Sequence, residues 1–166
     1  DTDEQPGNAK IDKIRGLKPA FKNDGTVTAA NASSISDGAS ALVLASAEAV
    51  AAKQLTPIAK LVGHATHSRN PAEFTLAPID AIKKLLAKVD WSLDEVDLFE
   101  INEAFAMVTM LTVKEVGIDP AKVNIHGGAC AQGHPIGSTG SRLIVTLMHA
   151  LQQTGKKKGI ASLCIG

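Results

Sequence analysis

Short apolar runs alternate with amphipathic stretches along most of this chain, and this alternation constrains the fold more than any other feature. Short apolar runs bounded by turn residues are typical of buried strands, whereas apolar residues spaced by three and four form one helix face. We predict strands at residues 41–44, 57–62, 96–101, 122–125 and 159–165. We predict helices at residues 47–53, 78–89 and 103–116, and a long one that stops at Gly155. Strands alternating with helices indicate an α/β layered fold.

The composition excludes several classes of function. Among 166 residues, 17 Lys and Arg balance 17 Asp and Glu, which gives no electrostatic case for a nucleic-acid or membrane partner. Aromatic residues make up only 3%, which disfavours stacking of single-stranded bases. Cys130 and Cys164 lack the spacing of a disulfide framework or a metal site, so we expect a reducing compartment. That compartment is the cytoplasm, or an organellar matrix if the source is eukaryotic.

Three short segments, each after a predicted strand, carry the residues suited to chemistry: 102–106, 133–140 and 164–166. His134 lies in a loop dense in glycine, where the backbone can approach a ligand closely. It also precedes a predicted helix, whose positive end favours the neutral ring. A neutral imidazole can accept a proton from a thiol or donate to an oxyanion. The alternative is a histidine that only ties the loop together.

Asn102 and the two cysteines have structural alternatives as well. Asn102 ends a predicted strand, where its amide can hold a water or an oxyanion, and it can equally cap the helix predicted from residue 103. Cys164 ends the last predicted strand, and a small buried apolar residue is the commoner role of a free cysteine. For Cys130 the structural role is favoured, since nothing near it in sequence would activate the thiol.

Together these segments resemble the thiolase family. Residues 102–106 match its NEAFA box, residues 133–140 its GHPIG-x-[ST]-G box, and residues 164–166 the start of its CxGGG box. Residues 24–33 are similar to the family's DGTVTA-x-N-[AS]-S segment. The four boxes occur in order along nearly the whole chain. The resemblance implies a thiolase-like half in which helices flank a mixed β-sheet.

The resemblance also implies catalytic roles. His134 would activate a nucleophilic cysteine and help form an oxyanion hole, and Asn102 would hold a water in that hole. Cys164 would be the acid/base that takes a proton from the acetyl methyl group, and the backbone N–H of Gly166 would line a second oxyanion hole. Because a thiolate is the active base, we expect polar surroundings for Cys164.

Further residues match positions that bind the coenzyme A thioester. Ser33 would contact the pantetheine arm, and five residues would line the same tunnel: Phe21, Ala29, Ile35, Ala104 and Phe105. The resemblance implies no metal and no cofactor besides the coenzyme A thioesters that are the substrates.

The implied reaction is condensation of two acetyl-CoA molecules to acetoacetyl-CoA, or cleavage of 3-ketoacyl-CoA by free CoA. Residues 1–26 are expected to be a connector or the end of a preceding loop domain. Residues 27–166 are expected to be the carboxyl-terminal domain without its last strand. The family's nucleophilic cysteine belongs to an amino-terminal half, so we expect this chain to be inactive alone and to need that half in a homodimer or homotetramer. The alternatives are a ketoacyl-synthase-like condensing enzyme and a non-catalytic acyl-CoA- or lipid-binding relative.

Overall fold

The computed structural model describes residue 2 and residues 7–164, and it contains most of the predicted helices but only two of the predicted strands. The helices and strands are, in chain order, α1 (Ala47–Ala52), α2 (Ala77–Val89), β1 (Leu98–Ile101), α3 (Ala106–Val116), α4 (Ala129–Gln132), α5 (Ile136–Thr154) and β2 (Gly159–Ser162). Short 3-10 helices occur at Ile11–Gly16, Pro71–Leu76 and Pro120–Lys122.

Strands β1 and β2 pair in parallel, with Leu98 opposite Gly159 and Ile101 opposite Ser162. All four residues of β1 are buried, as expected of a strand covered on both faces. Side chains alternate between the faces of a strand, so Phe99 and Ile101 face α2, where they pack with Ile82. Leu98 faces α5, where it packs with Leu147 and Ala150. The strand pair therefore lies between two helical layers, which confirms the α/β class.

Local sequence signals account for the helix ends. The side chain of Ser46 accepts a hydrogen bond from Ala49 N at the start of α1. Pro78 lies in the first turn of α2, where its missing N–H costs nothing. Helices α3 and α5 end at Gly117 and Gly155, both with the left-handed backbone that glycine adopts without strain. The predicted helices are thus confirmed, apart from the start of α3.

Helix α3 begins at Ala106 rather than at residue 103, and its N-cap is Phe105. The prediction that Asn102 caps this helix is therefore wrong. The residues before Ala106 are held in another pairing: Phe105 forms an antiparallel bridge with Ala32, and Ser33 N donates to Ala104 O at 3.1 Å. The backbone of residues 104 and 105 thus pairs with residues distant in sequence instead of forming the first helical turn that the sequence pattern predicts from residue 103.

Several strand predictions fail because a strand needs a hydrogen-bonded neighbour. Residues 41–44 and 57–62 form no strand; Val43 is 98% and Leu44 79% exposed, and Ile58 and Leu61 are exposed as well. The strand predicted at 122–125 is reduced to a single parallel bridge between Val123 and Phe99. Strands β1 and β2 are shorter than predicted, and residue 165 is outside the described part. None of the helices within the described ranges has the length and apolar character that a membrane crossing requires.

Candidate active site

The carboxyl ends of β1 and β2 form one edge of the sheet, the position where α/β folds place their functional groups. The backbone continues this pairing past β1, because Asn102 N donates to Ser162 O at 2.9 Å. Asn102 is therefore the first residue beyond β1, and Cys164 is the second residue beyond β2. The parallel register brings both residues to the same edge of the sheet.

The loop between α4 and α5 carries His134 to Asn102. Gly133 has a φ of 89°, and a side chain there would overlap the hydroxyl of Ser36, so only glycine fits. His134 N donates to Ser34 O at 3.0 Å, and Ile35 forms a parallel bridge with His134. The segment around Ser34 therefore holds the backbone of the histidine in place.

Hydrogen bonds define the tautomer of His134. Thr139 Oγ1 donates its hydrogen to Pro135 O at 3.0 Å, so it accepts from His134 Nδ1, which lies 2.7 Å away. The ring proton is then on Nδ1, and Nε2 carries the lone pair. Asn102 Nδ2 lies 3.3 Å from Nε2 and donates to it. The predicted meeting of imidazole and amide is thus present in the structure.

The amide of Asn102 keeps one unused acceptor. Asn102 is only 1% exposed, and within the described part of the chain no donor reaches its Oδ1 atom. A buried acceptor without a partner costs about 1–3 kcal/mol, so such an atom marks a position suited to a donor from water or a ligand. Asn102 can therefore donate a hydrogen bond to His134 through Nδ2 and accept one from a water or a ligand through Oδ1.

Burial sets the protonation of the two titratable site residues. Burial lowers the pKa of His134 below its usual value, and the charge of Arg142 lowers it further, so the neutral ring is the resting form. Cys164 is 8% exposed, and burial raises the pKa of its thiol. Burial therefore opposes the thiolate character expected for Cys164 in the chain as described, and its assignment as the acid/base stays a prediction. Gly166, expected to line the second oxyanion hole, lies outside the described residues.

Cys130 has the structural setting expected from the sequence. Its Sγ lies 3.7 Å from Glu103 O, and burial, followed by the nearby Glu103, raises its pKa to about 11. A thiol with so high a pKa is a poor nucleophile at neutral pH. Cys130 is therefore a packed residue of α4 rather than a second reactive cysteine.

Most of the residues expected to bind pantetheine adjoin this edge. Ser33 Oγ donates to Ala104 O at 3.0 Å, and the rings of Phe21 and Phe105 pack edge to face with centroids 5.9 Å apart. Ile35 is exposed beside His134. Ala29 is exposed in the turn closed by the hydrogen bond from Asn31 N to Thr28 O. The assignment of these six residues to substrate binding stays a prediction.

Residues that could not be singled out from the sequence hold Asn102 and His134 in place. Thr139 occupies the [ST] position of the GHPIG-x-[ST]-G box, a signal that already pointed to a required hydroxyl. Ser34 acts through its carbonyl, which carries no side-chain signature. Asn124, with a φ of 47°, pairs its side chain with both backbone groups of Ile101, at 2.8 and 2.9 Å. Nothing local in the sequence indicates that pairing.

The fold and the site define an α/β protein with a neutral imidazole and a buried amide at the carboxyl edge of parallel strands. Residues 55–166 match the family model "Thiolase, C-terminal domain", and residues 1–48 match "Thiolase, N-terminal domain". The chain belongs to the thiolase family. The expected division of the chain after residue 26 stays a prediction.

Relatives and solved structures agree with this membership. An acetyl-CoA acetyltransferase of Pseudomonas aeruginosa is 46% identical over 100% of this chain and 42% of its own length. The crystal structure of the Bacillus anthracis acetyl-CoA acetyltransferase superposes with a TM-score of 0.92 at 48% identity, covering 96% of this chain and 40% of that one. Human mitochondrial 3-ketoacyl-CoA thiolase in complex with CoA gives a TM-score of 0.91 at 41% identity, with the same coverage. The chain therefore spans about 40% of the length of these relatives.

Proposed function

We propose that this chain supplies the enolate-stabilising part of a thiolase active site. The complete enzyme would condense two acetyl-CoA molecules to acetoacetyl-CoA, or cleave a 3-ketoacyl-CoA with free CoA. One observation carries the proposal: the contact between Asn102 and His134, which leaves the buried Asn102 Oδ1 ready for an outside donor. A water held there would donate one hydrogen to Asn102 Oδ1 and the other to the oxygen of a thioester.

The chemistry requires a negative charge to be stabilised on that oxygen. The cysteine thiolate of the amino-terminal half would attack the 3-keto carbon of the thioester. Breaking of the bond between Cα and Cβ would then leave the acyl group on that cysteine and the electron pair on an enolate of acetyl-CoA. Donors aimed at the enolate oxygen lower the barrier, and a proton must then reach the carbon. Cys164, protonated at neutral pH because burial raises its pKa, is suited to give that proton. In the direction of condensation the same group must first lose its proton and act as the base.

Coenzyme A thioesters are the proposed ligands, and neither a metal nor a further cofactor takes part in the proposal. The solved relative with bound CoA supports this choice. Ser33, Ala104 and Phe105 adjoin the catalytic pair and would contact the pantetheine arm. The proposed compartment is the cytoplasm or an organellar matrix.

An amino-terminal thiolase half is the proposed partner, in a homodimer or homotetramer. The exposed apolar residues of 41–44 and 57–62 support this proposal, because extended apolar segments without a neighbour are suited to adding to another sheet. Neither cysteine of the chain is assigned as the acylated nucleophile, which would come from that half. The chain alone is therefore expected to have no thiolase turnover.

A chimera tests the proposed function. This chain replaces the matching 42% of the Pseudomonas aeruginosa acetyltransferase, and consumption of acetoacetyl-CoA with free CoA is measured. We expect turnover, and we expect His134→Ala to reduce it on the order of 100- to 1,000-fold, because the neutral ring would be lost as the base that takes the proton of the nucleophilic thiol. His149→Ala, an exposed histidine of α5, is the matched control and should keep full activity. A folded chimera without turnover, or one indifferent to His134→Ala, would refute the proposal and favour a non-catalytic acyl-CoA-binding role.

A further inference from the structure

Glu103 follows the catalytic asparagine directly, yet its side chain turns away from the Asn102–His134 pair. Its Oε2 atom accepts a hydrogen bond from Cys130 N at 3.0 Å. Its Oε1 atom accepts one from Asn124 Nδ2 at 3.2 Å. One half-buried carboxylate therefore joins the end of β1 to two residues that follow it by 21 and 27 positions.

Each residue that Glu103 contacts is connected to Asn102 or to His134. Asn124 binds the backbone N–H and C=O of Ile101, the last residue of β1 and the neighbour of Asn102. Cys130 lies in the first turn of α4, where backbone N–H groups have no acceptor within the helix. Helix α4 ends at Gln132, two residues before His134. A shift of α4 would therefore move the imidazole relative to the amide.

The glycine at position 128 supplies an independent observation. A Cβ atom at Gly128 would overlap the carboxylate of Glu103, so a side chain at this position would have to displace that group. Gly128 has an extended backbone that any residue can adopt, with φ of −112° and ψ of −171°. The absence of a side chain at position 128 thus leaves room for the carboxylate of Glu103, and the backbone conformation itself does not call for glycine.

We propose that Glu103 is a positioning residue, whose carboxylate sets the spacing between Asn102 and His134 by holding α4 and Asn124 against the end of β1. The expected effect on kcat rests on the proposed function. The expected effect on the positions of Cys130 and His134 rests on the contacts alone. Glutamine at this position would turn an N–H donor toward either Cys130 N or Asn124 Nδ2, both of which are donors. One of the two attachments must therefore be lost.

The kinetic test compares Glu103→Gln with Glu115→Gln in the active chimera. Glu115 is an exposed residue of α3, so it receives the same chemical change without these contacts. We expect Glu103→Gln to lower kcat on the order of 10- to 100-fold, as a small misplacement of catalytic groups does, and to leave KM for acetoacetyl-CoA unchanged. Gly128→Ala should lower kcat in the same way, by displacing the carboxylate. Unchanged kcat in Glu103→Gln would overturn the inference, as would a rise in KM alone.

A structural test needs no turnover. In the 166-residue chain, the amide proton of Cys130 should move upfield in the NMR spectrum of Glu103→Gln as its charged acceptor is replaced, and the ring signals of His134 should move with it. Glu115→Gln should move neither. If the Cys130 amide stays in place, the inference is overturned whatever the kinetics. If the chimera is inactive but the Cys130 and His134 signals respond to Glu103→Gln, the proposed function fails and the positioning role stands.

Discussion

Glu100 is a carboxyl group in the middle of β1, and its substitution by glutamine should stabilise the protein at neutral pH. The residue is only 2% exposed and faces the α5 side of the strand pair, as Leu98 does. Burial raises its pKa to about 7, the charge of Arg142 works in the opposite direction, and Glu103 raises it further. The charge of Arg142 therefore does not offset the cost of burying the carboxylate of Glu100.

The magnitude follows from the shift. A pKa raised from 4.5 to about 7 corresponds to about 3 kcal/mol. The folded state holds this proton more tightly than the unfolded state, so the unfolding free energy falls as pH rises from about 4.5 to about 7. Below that window both states are protonated and the cost is absent. Glu100→Gln removes the titration, so the variant should gain about 3 kcal/mol over the wild-type chain at pH 8, relative to their difference at pH 4.5.

Urea unfolding at a series of pH values measures this difference. The free energy of unfolding is extrapolated to zero urea for the wild-type chain and for Glu100→Gln between pH 4.5 and 8. Glu115→Gln, at an exposed position, serves as the control and should follow the wild-type curve. Parallel pH profiles for the wild-type chain and Glu100→Gln would refute the reasoning, because they would mean that Glu100 ionises in the folded state as easily as in water.

Three further predictions follow from the same contacts. Thr139→Val leaves His134 Nδ1 without its hydrogen-bond partner, so kcat of the chimera should fall about tenfold. The free energy of unfolding in urea should fall by about 1–3 kcal/mol. Unchanged kinetics would contradict the assigned tautomer of His134. Phe99→Ala should cost about 3–5 kcal/mol in urea unfolding, since Phe99 is fully buried in the core between α2 and β1; a cost below about 1 kcal/mol would place it elsewhere. Cys130 and Cys164 should be alkylated more slowly in the folded chain than in urea at pH 8, because burial raises the pKa of both thiols. Mass spectrometry follows the alkylation, and equal rates in the two conditions would contradict the burial of these thiols.

The helices and the candidate site residues Asn102 and His134 could be predicted from the sequence because their signals are local. The apolar stripe of α2, the cap at Ser46 and the glycines that end α3 and α5 each act within a few residues. Asn102 and His134 lie in boxes whose residue types restrict the chemistry. Their contact then follows from parallel strands that end at one edge of a sheet.

The missed features depend on partners distant in sequence. The apolar run around Val43 reads as a strand, but no local pattern supplies the neighbour that a strand must pair with, and the residue is exposed. Asparagine is a common helix N-cap, which favours a helix directly after Asn102. The backbone of residues 104 and 105 instead pairs with residues 32 and 33, so the helix begins only at Ala106. The attachment of Glu103 to Cys130 spans 27 positions. Burial, which raises the pKa of Cys164, is likewise a property of the packed chain.

Exchange of the methyl protons of acetyl-CoA in heavy water tests the central claim most directly, because it reports formation of the enolate itself. The chimera carrying this chain is incubated with acetyl-CoA in heavy water, and deuterium in the acetyl group is followed by mass spectrometry. We expect deuterium to enter with the wild-type chain, and the exchange rate to fall on the order of 100-fold or more with Asn102→Ala and with Cys164→Ala. Undiminished exchange in both variants would contradict the assignment of enolate chemistry to this edge of the sheet.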